Sequence, residues 1–355
     1  MRRSLVITAL VAVAVGGVPT AGAATPARMP DLTWRLSDTG TTAQLRGLAA
    51  VSSRVAWASG SRGTVLRTVD SGRTWQRSTP PGSEGLELRD IEAFDATTAV
   101  ALSIGPGDQS RIYRTTDGGA SWTETFRSGE PTAFYDCMAF FDRRHGLAMS
   151  DPVDGKFRVL STDDGGASWR IVPDDGMPPA LEGEFGFAAS GQCLTVADGR
   201  YAWIATGGGA TARVLRSADR GLTWAAVDTV LAGGPTAGVY ATAFRDKSRG
   251  IAVGGDYTVP TGAVDALGVT RDGGRTWSRP KTAPQGYRSG VAWHSILPTV
   301  AIAVGPTGSD VTLDGGVRWR QFDSGTFDSV DCTRDGACWA SGAAGRVGVL
   351  KLTWS

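Results

Sequence analysis

The chain has 355 residues, of which 41% are hydrophobic, with 49 Gly, 12 Trp and 4 Cys. Its 36 Lys and Arg against 35 Asp and Glu give a formal charge of +1, so the charge balance does not favour nucleic acid or an anionic membrane surface as a partner. Length allows a large core, and this much Gly and Trp with few amphipathic helical stretches suits short strands joined by tight turns.

Met1-Arg2-Arg3 is a short basic segment, Leu5 to Val15 an apolar run, and Ala21-Gly22-Ala23 the small residues that signal peptidase requires. Residues 1–23 are therefore expected to be a secretory signal, removed after Ala23. The apolar run is too short for a stable membrane anchor, and no later segment approaches ~20 apolar residues. A secreted, extracellular chain with no membrane span is the expectation, and a monomer is assumed. Without Arg2 and Arg3 the balance becomes 34 basic against 35 acidic side chains.

Leu32-Thr33-Trp34-Arg35-Leu36 then reads as a strand. Beyond it an octapeptide recurs, first as Thr68-Val69-Asp70-Ser71-Gly72-Arg73-Thr74-Trp75 and next as Thr115-Thr116-Asp117-Gly118-Gly119-Ala120-Ser121-Trp122. Four further copies are centred on Asp164, Asp219, Asp272 and Asp314. The tryptophans that end the copies lie 47, 47, 55, 53 and 42 residues apart, the period of a four-stranded blade. The Asp accepts hydrogen bonds from the backbone N–H groups ahead of it, and the Gly two residues on tolerates positive φ. A calcium loop is the rival reading, but each copy has one or two carboxylates where calcium takes six to eight oxygens.

Ser/Thr-x-Asp-x-Gly-x-Thr/Ser-Trp resembles the Asp-box (BNR) repeat of sialidase-like β-propellers. The pattern is similar to photosystem II assembly factor-like BNR proteins and their secreted bacterial relatives. The sixth copy departs from it, with Arg318 where Thr or Ser is usual. The resemblance implies that each box sits between the third and fourth strands of a blade, remote from the ligand face. Asp70, Asp117, Asp164, Asp219, Asp272 and Asp314 are then structural.

A second repeat counts the blades. Seven short apolar strands run into small-residue turns, beginning at Val55, Ala99, Gly146, Ala202, Gly250, Val300 and Cys338. Seven such strands against six octapeptides imply that the N-terminal strand supplies the missing one. The predicted fold is all-β, a single seven-bladed β-propeller over residues 24–355 with an N-terminal strand closing the last blade.

Cys137, Cys193, Cys332 and Cys338 are an even number in an exported chain, which suggests disulfides. Three pairings are open. Arg334-Asp335-Gly336 reads as a hairpin turn that would join Cys332 to Cys338, leaving Cys137 with Cys193. With His145 and His294 as the only histidines and no Cys-x-x-Cys, no metal site is expected.

The longer loops, Thr79 to Leu86, Pro173 to Glu184, Gly207 to Thr211 and Gly254 to Ala266, fall where one propeller face would carry them. Residues opening the inner strands would ring the channel mouth on that face: Arg46, Arg89, Asp90, Tyr135, Asp136, Glu184, Tyr240, Arg288 and Asp328. Arginines with carboxylates and tyrosines are also the ingredients of a sialidase site, where arginines hold the substrate carboxylate and a Tyr attacks the sugar. The Phe/Tyr-Arg-Ile/Leu-Pro motif usual in sialidases is missing. Gly207-Gly208-Gly209 leads into no helical pattern, and His294 has no nucleophile-elbow partner. The expectation is a non-catalytic propeller, without cofactor, that binds a protein or glycan through its loop-rich face. The alternative is a glycoside hydrolase or lyase of the sialidase-like type.

Overall fold

In the computed structural model, which describes residues 31–262 and 264–353, strand burial grades from the channel outward. Inner strands such as Leu45–Ala50 alternate buried and half-buried positions, one side against the neighbouring blade and the other toward the channel. Second strands such as Ala56–Gly60 and Ala99–Ile104 are buried throughout, which explains their continuous small and apolar composition. Fourth strands such as Gln76–Ser78 and Thr123–Arg127 form the polar rim.

Seven antiparallel sheets follow one another as blades of a propeller. Blade one spans residues 45–78, blade two 87–127, blade three 135–171, blade four 194–228, blade five 237–270 and blade six 290–323. Blade seven holds Ser329–Cys332, Cys338–Ser341 and Val347–Thr353, and Asp31–Ser37 completes it as the outermost strand. That closing pair runs antiparallel from Asp31↔Thr353 to Ser37↔Val347. Leu32 and Trp34 point inward, and Trp34 Nε1 donates to Ser309 Oγ of blade six at 3.0 Å. The expected leader, residues 1–23, lies outside the described residues.

Blade five departs from the repeat, having three strands and only a single bridge from Val269 to Ser278 beyond them. Pro280 has no N–H to give a ladder and fixes its own φ, so the strand stops. The chain crosses instead to blade six, where Lys281 N donates to Val317 O at 2.7 Å.

Each octapeptide forms the turn after a third strand, leading into a fourth in every copy except blade five's. In the first, Gly72 N donates to Thr68 Oγ1 (3.0 Å), Thr74 N to Asp70 Oδ1 (2.9 Å) and Thr74 Oγ1 to Asp70 Oδ2 (2.6 Å). The sixth copy keeps the plan with a different donor, since Arg318 Nη1 reaches Asp314 Oδ2 at 3.1 Å. Trp75 and Trp122 lie edge-on against Trp339 and Trp57 of the preceding blades. Both disulfides are formed. Cys332–Cys338 closes the blade-seven hairpin, and Cys137–Cys193 ties blade three to the segment entering blade four.

Candidate functional site at the channel mouth

A cavity of about 500 Å³ opens on the face that carries the loops after second and fourth strands. Arg46 and Arg89 reach into it from the inner strands of blades one and two, with Asp328 entering ahead of the inner strand of blade seven. Tyr240, Tyr257, Tyr287, Phe187 and Phe327 supply an aromatic wall. Arg89 Nη1 donates to Ala188 O at 3.0 Å, and Arg46 Nη1 lies 3.5 Å from Ala189 O. The Gln44 amide lies between Arg46 and Asp328, and its end group either donates to Asp328 Oδ2 (3.3 Å) or, turned over, accepts from Arg46 Nη2 (2.8 Å). Burial and then the neighbouring Arg46 charge lower the affinity of Arg89 for its proton. Burial raises Asp328, and the two arginines with Gln44 pull it back. Glu87, partly exposed and outside the lining, lies 3.9 Å from Arg89 Nε, so within the cavity itself two guanidinium groups face one carboxylate and can take an anion.

Of the residues singled out from sequence, Arg46, Arg89, Tyr240 and Asp328 meet here. The others lie elsewhere. Arg288 is fully buried against Asp310, with Nε 2.7 Å from Oδ2, and donates to Tyr287 O and Thr307 Oγ1. Glu184 is buried and takes both a forked bond from Arg213 (2.9 and 2.5 Å) and the Thr206 hydroxyl. Asp90 accepts from Met138 N at 2.6 Å. Tyr135 is buried edge-on to Phe126. Asp136 is buried beside Asp151, and burial and then that second carboxyl push it well above the carboxylate range. These five are buried structural groups away from the mouth; Asp90 and Tyr135 join blades two and three, while Arg288 is tied within blade six. Residues 254–287 supply Tyr257 and Tyr287, which sequence reasoning passed over. The aromatic content of that stretch was their only signal.

A second cavity of about 290 Å³ lies at the other end of the channel, with Asp90, Glu92 and Asp331 in its wall. Burial raises all three, and at Glu92 the other two carboxyls add to it. Burial also pushes Asp151 up to about 6. The octapeptide aspartates go the other way. Side-chain and backbone bonds from Thr74 hold Asp70 at about 2, and those from Ser121 hold Asp117 there. At Asp164 and Asp272 burial opposes, and hydrogen bonds outweigh it to give about 2 again.

The two groups of carboxyls set opposite pH dependences. Carboxyls raised in the fold bind more protons folded than unfolded, so stability falls as pH rises through their folded values. Stability is therefore expected to increase as pH drops from 7.5 through 6 toward 4.5. Below about 4 it should be lost again, as aspartates held near 2 take up protons on unfolding. Thermal melts across this range should show Tm higher at pH 5 than at pH 7.5 by roughly 5 °C. A flat or inverted profile between those values would refute the assignment.

No family model and no curated protein sequence matches the chain. Among solved structures it is similar to YCF48 bound to D1 peptide, with 14% identity, TM-score 0.63, and 91% of this chain and 97% of that one covered. YCF48 from Cyanidioschyzon merolae gives 16% identity and TM-score 0.62 over 90% and 98%. The GH74 xyloglucanase from Xanthomonas campestris gives 15% and 0.61 over 89% of this chain and 53% of that one. The chain is a seven-bladed β-propeller. At such identities the likeness speaks to the fold. Among the described residues, no helix is long and apolar enough to cross a membrane.

Proposed function

We propose that this chain is a secreted, monomeric, non-catalytic β-propeller that binds a protein ligand, taking an extended peptide with an anionic group into the channel mouth. The observation that carries the reading is the pairing of Arg46 and Arg89 over an aromatic wall, with Asp328 as the one carboxylate among the lining residues. An aromatic cleft with few convergent polar groups is the ordinary form of a ligand pocket. YCF48 with D1 peptide is a propeller of this shape that holds a peptide, which favours a peptide over a glycan. The six octapeptide turns support kinship with Asp-box propellers, and the disulfides suit an extracellular setting.

Glycoside hydrolysis is disfavoured on chemistry. It commonly needs two carboxyls ~5 to 9.5 Å apart across the scissile bond, and the lining residues include one. Tyr240, the phenol nearest a sialidase nucleophile in role, donates its hydroxyl proton to Thr236 O at 2.8 Å. Burial, and then the neighbouring Tyr287, Tyr257 and Asp256, raise it above its ordinary range.

The test is a peptide array and a glycan array on the secreted protein, followed by titration of the best binder. Arg46→Ala and Arg89→Ala should each weaken binding by ~1 to 3 kcal/mol through loss of a charge-assisted contact. Tyr240→Phe should change it little. Robust hydrolysis of a sialoside or uronide by the wild type, lost in Tyr240→Phe, would place the protein in the other class.

A further inference from the structure

Residues 187–193 cross the channel and separate its two cavities. Phe187, Ala188 and Ala189 face the upper one, while Ser190, Gly191 and Gln192 face the lower. The two halves are held very differently. Ser190 Oγ donates to Ser289 O at 2.6 Å and Ser190 O accepts from Ser329 Oγ at 3.0 Å. Gln192 Nε2 donates to Val291 O (3.1 Å) and Val330 O (3.0 Å), and Cys193 is bonded to Cys137. This half is riveted to blades three, six and seven. Phe187, Ala188 and Ala189 have a lighter hold. Apart from a turn bond between Ala189 N and Phe187 O, their polar ties are the carbonyls accepting from Arg89 and Arg46. The Phe187 ring stacks on Tyr240 at 3.8 Å. Gly191, at φ +73°, turns the chain inside the held half, one residue past Ser190.

Resting on the peptide reading of the cavity, we infer that Phe187-Ala188-Ala189 is an autoinhibitory strap. It is an internal peptide that occupies the site with the same groups an incoming ligand would use. Its carbonyls each take one guanidinium donor, and its phenyl ring covers the Tyr240 ring. Those carbonyls are neutral acceptors, and a carboxylate makes charge-assisted bonds about twice as strong to the same donors. A ligand bearing both an anion and an aromatic group displaces the strap, while either alone competes poorly. The ligand's affinity is reduced by the fraction of molecules with the strap in place, and loosening the strap restores it.

The probe is fluorescein-labelled Phe-Ala-Ala with a free carboxylate, and the readouts are anisotropy and amide hydrogen exchange on the intact secreted protein. Saturating probe should speed exchange at residues 187–189 about tenfold while residues 190–193 stay protected. Arg46→Ala with Arg89→Ala should speed it likewise without probe. Phe187→Ala should bind the probe about tenfold more tightly, with Phe187→Leu intermediate as a control for folding. Probe binding that leaves 187–189 as protected as before, or weaker binding by Phe187→Ala, would overturn the strap. Unchanged exchange in the probe-free double variant would also overturn it. Failure of the probe to bind wild type and every variant would instead overturn the peptide reading of the cavity.

Discussion

Removing residues 24–38 is expected to leave a chain that aggregates instead of melting cooperatively. The deletion takes away the outermost strand of blade seven, and Val347–Thr353 becomes an unpaired edge along all seven of its residues. Two inward anchors go with it. Trp34 sits against Phe322 and Phe327 with ring centroids 5.9 and 5.2 Å away, and Leu32 is buried beside it. Each side chain contributes roughly 1.5 to 3 kcal/mol by burial alone, and the Trp34 bond to Ser309 about 1 more. Those losses, with the sheet bonds, are comparable to a whole domain's stability of about 5 to 15 kcal/mol. Trp34→Ala is the graded version and should cost roughly 3 to 5 kcal/mol. Circular dichroism with light scattering reads both, and an unchanged Tm in the deletion would rule out N-terminal closure.

Arg288→Ala is expected to destabilise by about 3 to 5 kcal/mol, because it strands Asp310 in the interior. Burial raises Asp310 and the Arg288 charge pulls it back. Without Arg288 the upward push is unopposed, so the carboxyl takes a proton more readily. The defect should accordingly be smaller at pH 5 than at pH 8. Replacing both partners, as in Arg288→Met with Asp310→Leu, should recover much of the loss, since no buried charge is then left alone. Urea titrations at the two pH values measure all of this. A single variant as stable as wild type would show Arg288 to be a surface ligand group after all.

The fold was legible because its signals are local and repeated. Small-residue second strands recur in all seven blades and octapeptides in six, and the Thr33-Trp34 opening matches the start of a fourth strand. Blade five resisted because its octapeptide announces a strand that Pro280, only three residues past Trp277, then forbids. The cavity was half legible. Sequence brought Arg46, Arg89, Tyr240 and Asp328 to the mouth from their place at inner-strand starts. It could not see that the fold brings Arg288 onto an acid 22 residues on, or Glu184 onto a base 29 residues on. The strap left no trace at all, since Phe187 to Gln192 has neither periodicity nor motif, and its partners are scattered over the ring.

The closing pair of strands also decides how the molecule meets a pulling force. Asp31 faces Thr353 and Ser37 faces Val347, so the two described ends of the chain leave blade seven at the same end of the same ladder. Tension applied through them loads the Asp31–Thr353 rung alone, then the next, opening the pair like a zipper. Seven rungs that act together against heat act singly against traction. A propeller that resists thermal unfolding well would thus be easy to open if tethered by its termini, and hard to open if held across its blades.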